Sequence, residues 1–333
     1  MIIAVDGMGG DHAPEAVVGG VKLALDRLKG IKKLLLVGHE TRLQAELDRQ
    51  SVRSPRVELV PSHSVVEMTD LSTAAVRSKK DSSVTVAADL VKKGQAQALV
   101  SAGHTGASVA VTSVKWRTLP GVERPGIASP MPAEHGITSL LDAGANVEAK
   151  PLHLLHYGIM GSVYARQIYG VAKPKVGLMS VGEEDHKGSD FTREVFHLLK
   201  ETDLHFVGNV EGRDILNGGL DVIVTDGFTG NVVLKTVEGT AKAVGGWLKT
   251  ELRANPLRLL GALLARGAFS AVKARGNYET YGGSPLLGVR GVCIIGHGGS
   301  SPLAVMNAIR VAGEAVQQAV NPQIEDEIQR FHA

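Results

Sequence analysis

The chain has 333 residues, 44% of them apolar and 21% charged, with a formal net charge of +2. That length supports a large buried core, in one α/β domain or two lobes. With no block of like charges and no basic patch interleaved with aromatics, nucleic acid is not expected as a partner.

The N-terminal apolar run, Ile2 to Val5, ends in Asp6 and a turn through Gly7, Gly9 and Gly10, followed by Asp11, His12, Ala13 and Pro14. This reads as a strand delivering a polar, glycine-rich loop to a helix N-terminus, where free backbone N–H groups and the helix dipole favour an anion. No charged leader or cleavable apolar segment precedes the strand, so the expected compartment is the cytoplasm. No apolar stretch approaches the roughly 20 residues that span a bilayer.

Further strands are predicted at 34–37, 57–60, 98–100, 139–141, 176–179, 222–224 and 292–295. Helical patterns fall at 14–28, 40–48, 84–93, 151–169, 190–200, 231–252 and 303–320. Continuous apolar strands alternating with helices imply a three-layer α/β/α fold around a mostly parallel sheet. No linker and no internal repeat is evident. The stretch 118–136, with four prolines, reads as an excursion or lobe connection, and 253–283 breaks the α/β rhythm. The single cysteine, Cys293, lies in an apolar run and is read as a core residue rather than a nucleophile; it excludes a disulfide framework.

Strand ends resemble one another. Val5 is followed by Asp6-Gly7, Val100 by Ser101-Ala102-Gly103, and Leu141 by Asp142-Ala143-Gly144. Met179 is followed by Ser180-Val181-Gly182, Val224 by Thr225-Asp226-Gly227, and Ile295 by Gly296-His297-Gly298. Strands commonly end in Gly, Asp or Ser. Six such ends in one chain point to a shared cleft beyond the carboxyl ends of parallel strands.

Three familiar signatures are missing. His12 stands where a dinucleotide fingerprint needs its third glycine, Gly-Lys never occurs, and there is no G-x-S-x-G elbow. No spacing points to a metal site, and neither metal nor organic cofactor is expected.

The loop 4–14 (Ala-Val-Asp-Gly-Met-Gly-Gly-Asp-His-Ala-Pro) resembles the N-terminal signature of the bacterial PlsX phosphate acyltransferases. Six further blocks extend the likeness along the chain: 99–107, 141–147, 157–164, 181–188, 208–214 and 224–231. The resemblance implies a fold related to phosphotransacetylases and isocitrate/isopropylmalate dehydrogenases, in a homodimer. It implies transfer of a fatty acyl group from acyl-acyl carrier protein to inorganic phosphate, early in phospholipid synthesis. Two positions depart from the family pattern. His104 stands where Asn is usual, and Gly299 stands where Ser or Ala commonly follows His-Gly.

The chemistry agrees with the residues. Phosphate is itself a nucleophile and a thiolate leaves readily, so the site has to hold an anion, align it and stabilise the tetrahedral oxyanion. Gly9, Gly10, Asp11 and His12, with Gly103, Thr105 and Gly106, are the expected phosphate cradle; helix capping is the structural reading of the same Asp and Thr. Lys187 is the candidate cation, His12 a candidate base or phosphate donor, and His297 a substrate-orienting group within the catalytic set. Ser101, His104, Asn146, Gly227, Phe228, Gly230 and Asn231 complete the candidate substrate contacts, with Asp6, Asp142 and Asp226 bracing the turns.

Within 253–276, Leu257, Leu260, Leu263 and Leu264 share a helical face opposite Arg258 and Arg266; Phe269, Val272, Lys273 and Arg275 extend it. Such a stripe packs on a core or a second subunit, or lies in an anionic membrane surface. The family resemblance implies peripheral membrane contact through about 257–273, on a single acyltransferase domain spanning 1–333 with this segment protruding. Arg213, Arg258 and Lys273 are candidates to meet the acidic carrier. Rival readings are a short-chain phosphotransacetylase using coenzyme A, a metal-dependent NAD dehydrogenase, and a non-enzymatic membrane-surface scaffold.

Overall fold

The computed structural model describes residues 1–67, 69–70, 76–276 and 278–332. In chain order the elements are β1 (Ile2–Asp6), α1 (Glu15–Arg27), β2 (Lys33–Gly38), α2 (Glu40–Arg49), β3 (Val57–Pro61), α3 (Ser83–Lys92), β4 (Ala98–Ser101) and α4 (Thr105–Trp116). Next come β5 (Gly126–Pro132), β6 (Ile137–Leu141), α5 (Pro151–Ile168), β7 (Lys175–Met179), α6 (Asp190–Lys200), β8 (His205–Val210), α7 (Asp214–Asn217) and β9 (Val222–Val224). The last group is α8 (Gly227–Arg253), α9 (Pro256–Leu264), α10 (Arg266–Arg275), β10 (Ser284–Leu287), β11 (Val292–Ile295), α11 (Pro302–Gln317) and α12 (Val320–His332).

The strands form one sheet in the order β3-β2-β1-β4-β11-β10-β5-β6-β9-β7-β8. Alternation of side chains along each strand separates the cores on its two faces. On one face Ile3 and Val5 pack with α1 and α11, while Ala4 on the other packs with α3 and α4. Across the sheet, Leu178 and Val224 meet the buried helix α5 with α6 and α12, and Leu140 and Ile223 face α7 and the start of α8.

Strand direction divides the sheet. β3, β2, β1, β4 and β11 run parallel, and β6, β9, β7 and β8 run parallel to one another. Between them, β10 is antiparallel to β11 and β5, and β5 is antiparallel to β6, so the second block points opposite to the first. The six similar turns therefore leave from two oppositely directed blocks, not from one edge as a uniformly parallel sheet requires. Register brings them together nonetheless. Ile294 pairs with Pro285, Leu286 with Ile127, and Ala128 with Leu141. The carboxyl ends of β11 and β6 thus lie level in the middle of the sheet.

β5, β8 and β10 were not among the predicted strands. β5 lies in the proline-rich stretch read as an excursion, yet it pairs on both sides. β8 is an edge strand without a continuous apolar run. The segment read as one amphipathic stretch from Leu257 is two helices, α9 and α10, broken at Ala265. No α9 residue is buried, and Leu257 and Leu264 are 79% and 80% exposed. The side chains of Lys273 and Arg275 lie outside the described residues. Among the described residues no helix is long and apolar enough to cross a membrane.

Candidate active site

Asp6 ends β1 with only 3% of its surface exposed. Its Oδ1 accepts from the Met8 N–H at 3.2 Å and its Oδ2 from Ser101 Oγ at 2.7 Å. Burial pushes its pKa above the ordinary carboxylate range, against hydrogen bonds from Ser83, Ser101 and the amides of Met8 and Gly9. One side chain thus ties the β1 turn to the end of β4 and the start of α3.

The turns then close on one another through glycine. A Cβ on Gly9 would stand 2.6 Å from Asp6 Oδ2 and 2.8 Å from the Gly103 nitrogen. Gly10 has φ +108°, and a Cβ there would meet the Gly298 carbonyl at 2.9 Å. Ser101 Oγ accepts from Gly103 N–H at 3.2 Å, Asp11 N–H donates to Gly298 O at 2.8 Å, and Gly296 N–H donates to Ser101 O at 2.8 Å. The ends of β1, β4 and β11 form one stitched backbone surface.

Around it, α3, α4 and α11 all begin, so their free N–H groups and positive dipole ends face the same region. His104 caps α4, its Nδ1 accepting from Ala107 N–H at 3.2 Å. That bond needs an unprotonated Nδ1 and performs the task an Asn carbonyl performs at an N-cap. Thr105 follows in the first turn, exposed, with Gly106 beside it half-buried. Asp11 and His12 are exposed, and neither caps α1: the N-cap is Pro14, with no side-chain hydrogen bond.

A second cluster lies at the ends of β6 and β9. Asp142 is fully buried and takes four backbone N–H bonds, from Ile127, Gly144, Ala145 and Asn146. Burial raises its pKa, and those four donors oppose the rise. Asn146 Nδ2 is committed to Pro125 O and Tyr157 Oη at 2.5 and 2.6 Å. Asp226 caps α8 by accepting from the Thr229 amide and hydroxyl at 2.9 and 2.7 Å. Gly227 and Gly230 lie so close to Asp142 and Asn146 that no Cβ fits; one placed on Gly230 would stand 1.9 Å from Asp142 O. Phe228 and Asn231 are exposed on α8, where Gly144 packs beside Asn231.

His297 joins the two clusters. Its Nδ1 accepts from Gly299 N–H at 3.0 Å, and its Nε2 stands 4.0 Å from Glu238 Oε2 on α8. A Cβ on Gly299 would come no nearer than 3.5 Å to anything, so the Ser or Ala of the family pattern fits there. Lys187 stands apart. It is exposed on the turn after β7, and no hydrogen bond or ion pair among the described residues joins it to the Asp6 turns. Cys293 is buried, and burial pushes its thiol up to about 12, which leaves it protonated and unreactive at neutral pH. Among the described residues no group of three or more His, Cys, Asp or Glu is placed to hold a metal ion.

Ser83 and Glu238, which the structure brings to these clusters, were missed by the sequence reading. Ser82-Ser83 before an apolar helix pattern is a cap signature, but its tie to Asp6 is a tertiary contact that no local pattern carries.

Residues 1–323 match the family described as "Fatty acid synthesis protein". A phosphate acyltransferase of Akkermansia muciniphila is 54% identical over 99% of this chain and 97% of its own length. Another from Pelotomaculum thermopropionicum is 47% identical over 99% of this chain and 95% of its own. The chain belongs to the phosphate acyltransferase family. Among solved structures, a phosphotransacetylase from Streptococcus pyogenes superimposes with TM-score 0.63 at 16% identity, covering 95% of this chain and 94% of that one. A 4-hydroxythreonine-4-phosphate dehydrogenase from Klebsiella pneumoniae gives TM-score 0.52 at 12% identity, covering 94% and 98%. At those identities the likeness is one of fold.

The stitched turns give one direct prediction. Gly9→Ala should cost about 1–3 kcal/mol of stability by forcing Asp6 and Gly103 apart, and should abolish turnover while the chain still folds. Thermal unfolding and an activity assay on the same preparation check both parts; parent-like activity would show that this close approach is dispensable.

Proposed function

We propose that the chain transfers a fatty acyl group from acyl-acyl carrier protein to inorganic phosphate, giving an acyl phosphate and the free carrier thiol for phospholipid synthesis. The observation that carries this reading is the set of stitched glycine turns at several helix N-termini, with the only cysteine, Cys293, buried inside β11 rather than exposed at its end. Such a surface brings helix N-termini together, and their first-turn N–H groups and positive dipole ends suit an anion. A phosphate oxygen attacks the thioester carbonyl carbon, the C–O bond forms, and the carbonyl oxygen takes up negative charge. Collapse of that adduct breaks the C–S bond and releases the thiolate, which takes a proton from solvent or from a nearby cation.

In this reading the turns at Gly9–Gly10 and Gly103–Gly106 hold phosphate, with His12 beside it. Lys187, on its exposed turn, supplies positive charge to phosphate or to the oxyanion. His297 orients: with Nδ1 accepting from Gly299, its proton sits on Nε2, facing Glu238. The buried Asp6 and Asp142 shape the turns and do not face the anion.

The reading extends to a single catalytic domain, a homodimer in the cytoplasm, and contact with an anionic membrane through about 257–273. Exposed Trp247, Leu257, Leu260, Leu263, Leu264 and Val272 support a covered apolar face. Arg258 and Arg213, both exposed, remain the candidates to meet the acidic carrier; each also pairs on the surface, Arg258 with Glu251 at 2.6 Å and Arg213 with Glu183 and Glu211.

Two experiments test these parts separately. Purified protein mixed with palmitoyl-carrier protein should release thiol only when phosphate is present, with a hydroxylamine-trappable acyl phosphate as product. His12→Ala and Lys187→Ala should each lose activity about tenfold to a hundredfold while remaining folded; no thiol release at any acyl length would contradict the assignment. In flotation with anionic vesicles, the parent should rise with lipid and Leu260→Glu and Leu264→Glu should not. Equal behaviour of all three would remove membrane contact from the account.

A further inference from the structure

Asn209 lies in β8 with 5% of its surface exposed. Its Nδ2 donates to the Glu184 carbonyl at 2.8 Å, across to the loop that follows β7. The Lys187 N–H donates to that same carbonyl at 2.9 Å. One oxygen therefore both closes the turn 184–187 and fastens it to the sheet.

The frame beneath the turn is firm. Leu178 pairs with Asn209 and Met179 with Val210, and Ser180 N–H donates to Val210 O at 2.8 Å. At the far end of the turn, Gly188 has φ +98°, and a Cβ there would stand 2.8 Å from Thr192. On the outside, Glu183 pairs with Arg213 and Asp185 with Lys200, all exposed. Ion pairs of that kind hold little in place. At the far end Arg193 Nη1 donates to Gly188 O at 2.8 Å, and at the near end the buried amide is the tie that fastens the turn to the sheet.

That tie carries a cost. Asn209 Oδ1 and Ser180 Oγ are buried with no hydrogen-bond partner among the described residues. An apolar pair would remove two unsatisfied groups and stabilise the fold. Keeping an amide here makes physical sense if the placement of the turn matters more than the stability given up.

We infer that Asn209 is a positioning residue for Lys187, holding its turn so that the ammonium group is presented to the reacting anion. This rests on the role given to Lys187 in the proposed function. Asn209 touches no substrate; it acts only through the turn.

A double-mutant cycle tests it, with the KM for phosphate and kcat measured separately and Tm recorded for each variant. Asn209→Asp, the same size without the donor, and Asn209→Ala should each lower kcat/KM for phosphate about tenfold to a hundredfold. On the Lys187→Ala background the same substitutions should change it by no more than about twofold. A purely structural asparagine would lower both backgrounds alike, so additive losses overturn the inference. So does parent-like activity of the Asn209 variants beside an impaired Lys187→Ala. Full activity in Lys187→Ala alone instead strikes Lys187 from the site and so defeats the underlying reading. If both Asn209 variants fail to fold, Gly188→Ala disturbs the same turn from its other end, and additive losses there overturn the inference equally.

Discussion

A carboxylate with 3% exposure at the end of the first strand organises this molecule. Asp6 cannot be solvated, so it must be satisfied by protein donors, and it draws them from three separate elements: its own turn, β4 through Ser101 and α3 through Ser83. Because those donors lie far apart in sequence, the bond network fixes where three chain segments meet. Gly9 and Gly103 then approach to a distance that admits no side chain. The result is a rigid junction, held by amides of Met8, Gly9, Gly103 and Asp11 that are already hydrogen-bonded within the protein, and it exists before any ligand arrives.

The opposing directions of the two strand blocks give that surface its counterpart. Had all strands run parallel, the Asp142 and Asp226 turns would leave from the same edge as the Asp6 turns. Instead the blocks point past each other, and the β11-β10-β5-β6 register sets their carboxyl ends level. His297 and Glu238 approach to 4.0 Å across this junction, and Ala143, Ala145 and Leu234 join the core cluster that contains Ile295. Two clusters built on the same rule, a buried Asp gathering N–H groups beside tightly packed glycines, therefore face a common centre.

Much of this was legible in the sequence, for identifiable reasons. Runs such as Ile2 to Val5 and Val222 to Val224 are buried on both faces, so their strands are continuous in apolar residues and easily read. The strand-end glycines were legible because small residues are required where backbones touch. β5 was not, because Pro130 and Pro132 argue against a paired strand until its neighbours are known. The reversal of the second block was not, because hydrophobic pattern carries no strand direction. Asn209 lies within the block 208–214, but its meaning lies in a carbonyl 25 residues away. Polar residues at strand ends, such as Asp6 and Asn146, could be named from sequence, but the tertiary bonds they make, to Ser101 and to Pro125 O, could not.

The central claim is that phosphate, held by these turns, attacks the thioester directly, without an acylated enzyme. Intact-mass spectrometry of the protein mixed with acyl-carrier protein in phosphate-free buffer tests it most directly. The account predicts an unmodified chain and no carrier thiol until phosphate is added. A chain carrying one acyl group in stoichiometric amount, discharged to acyl phosphate when phosphate is supplied, would contradict it.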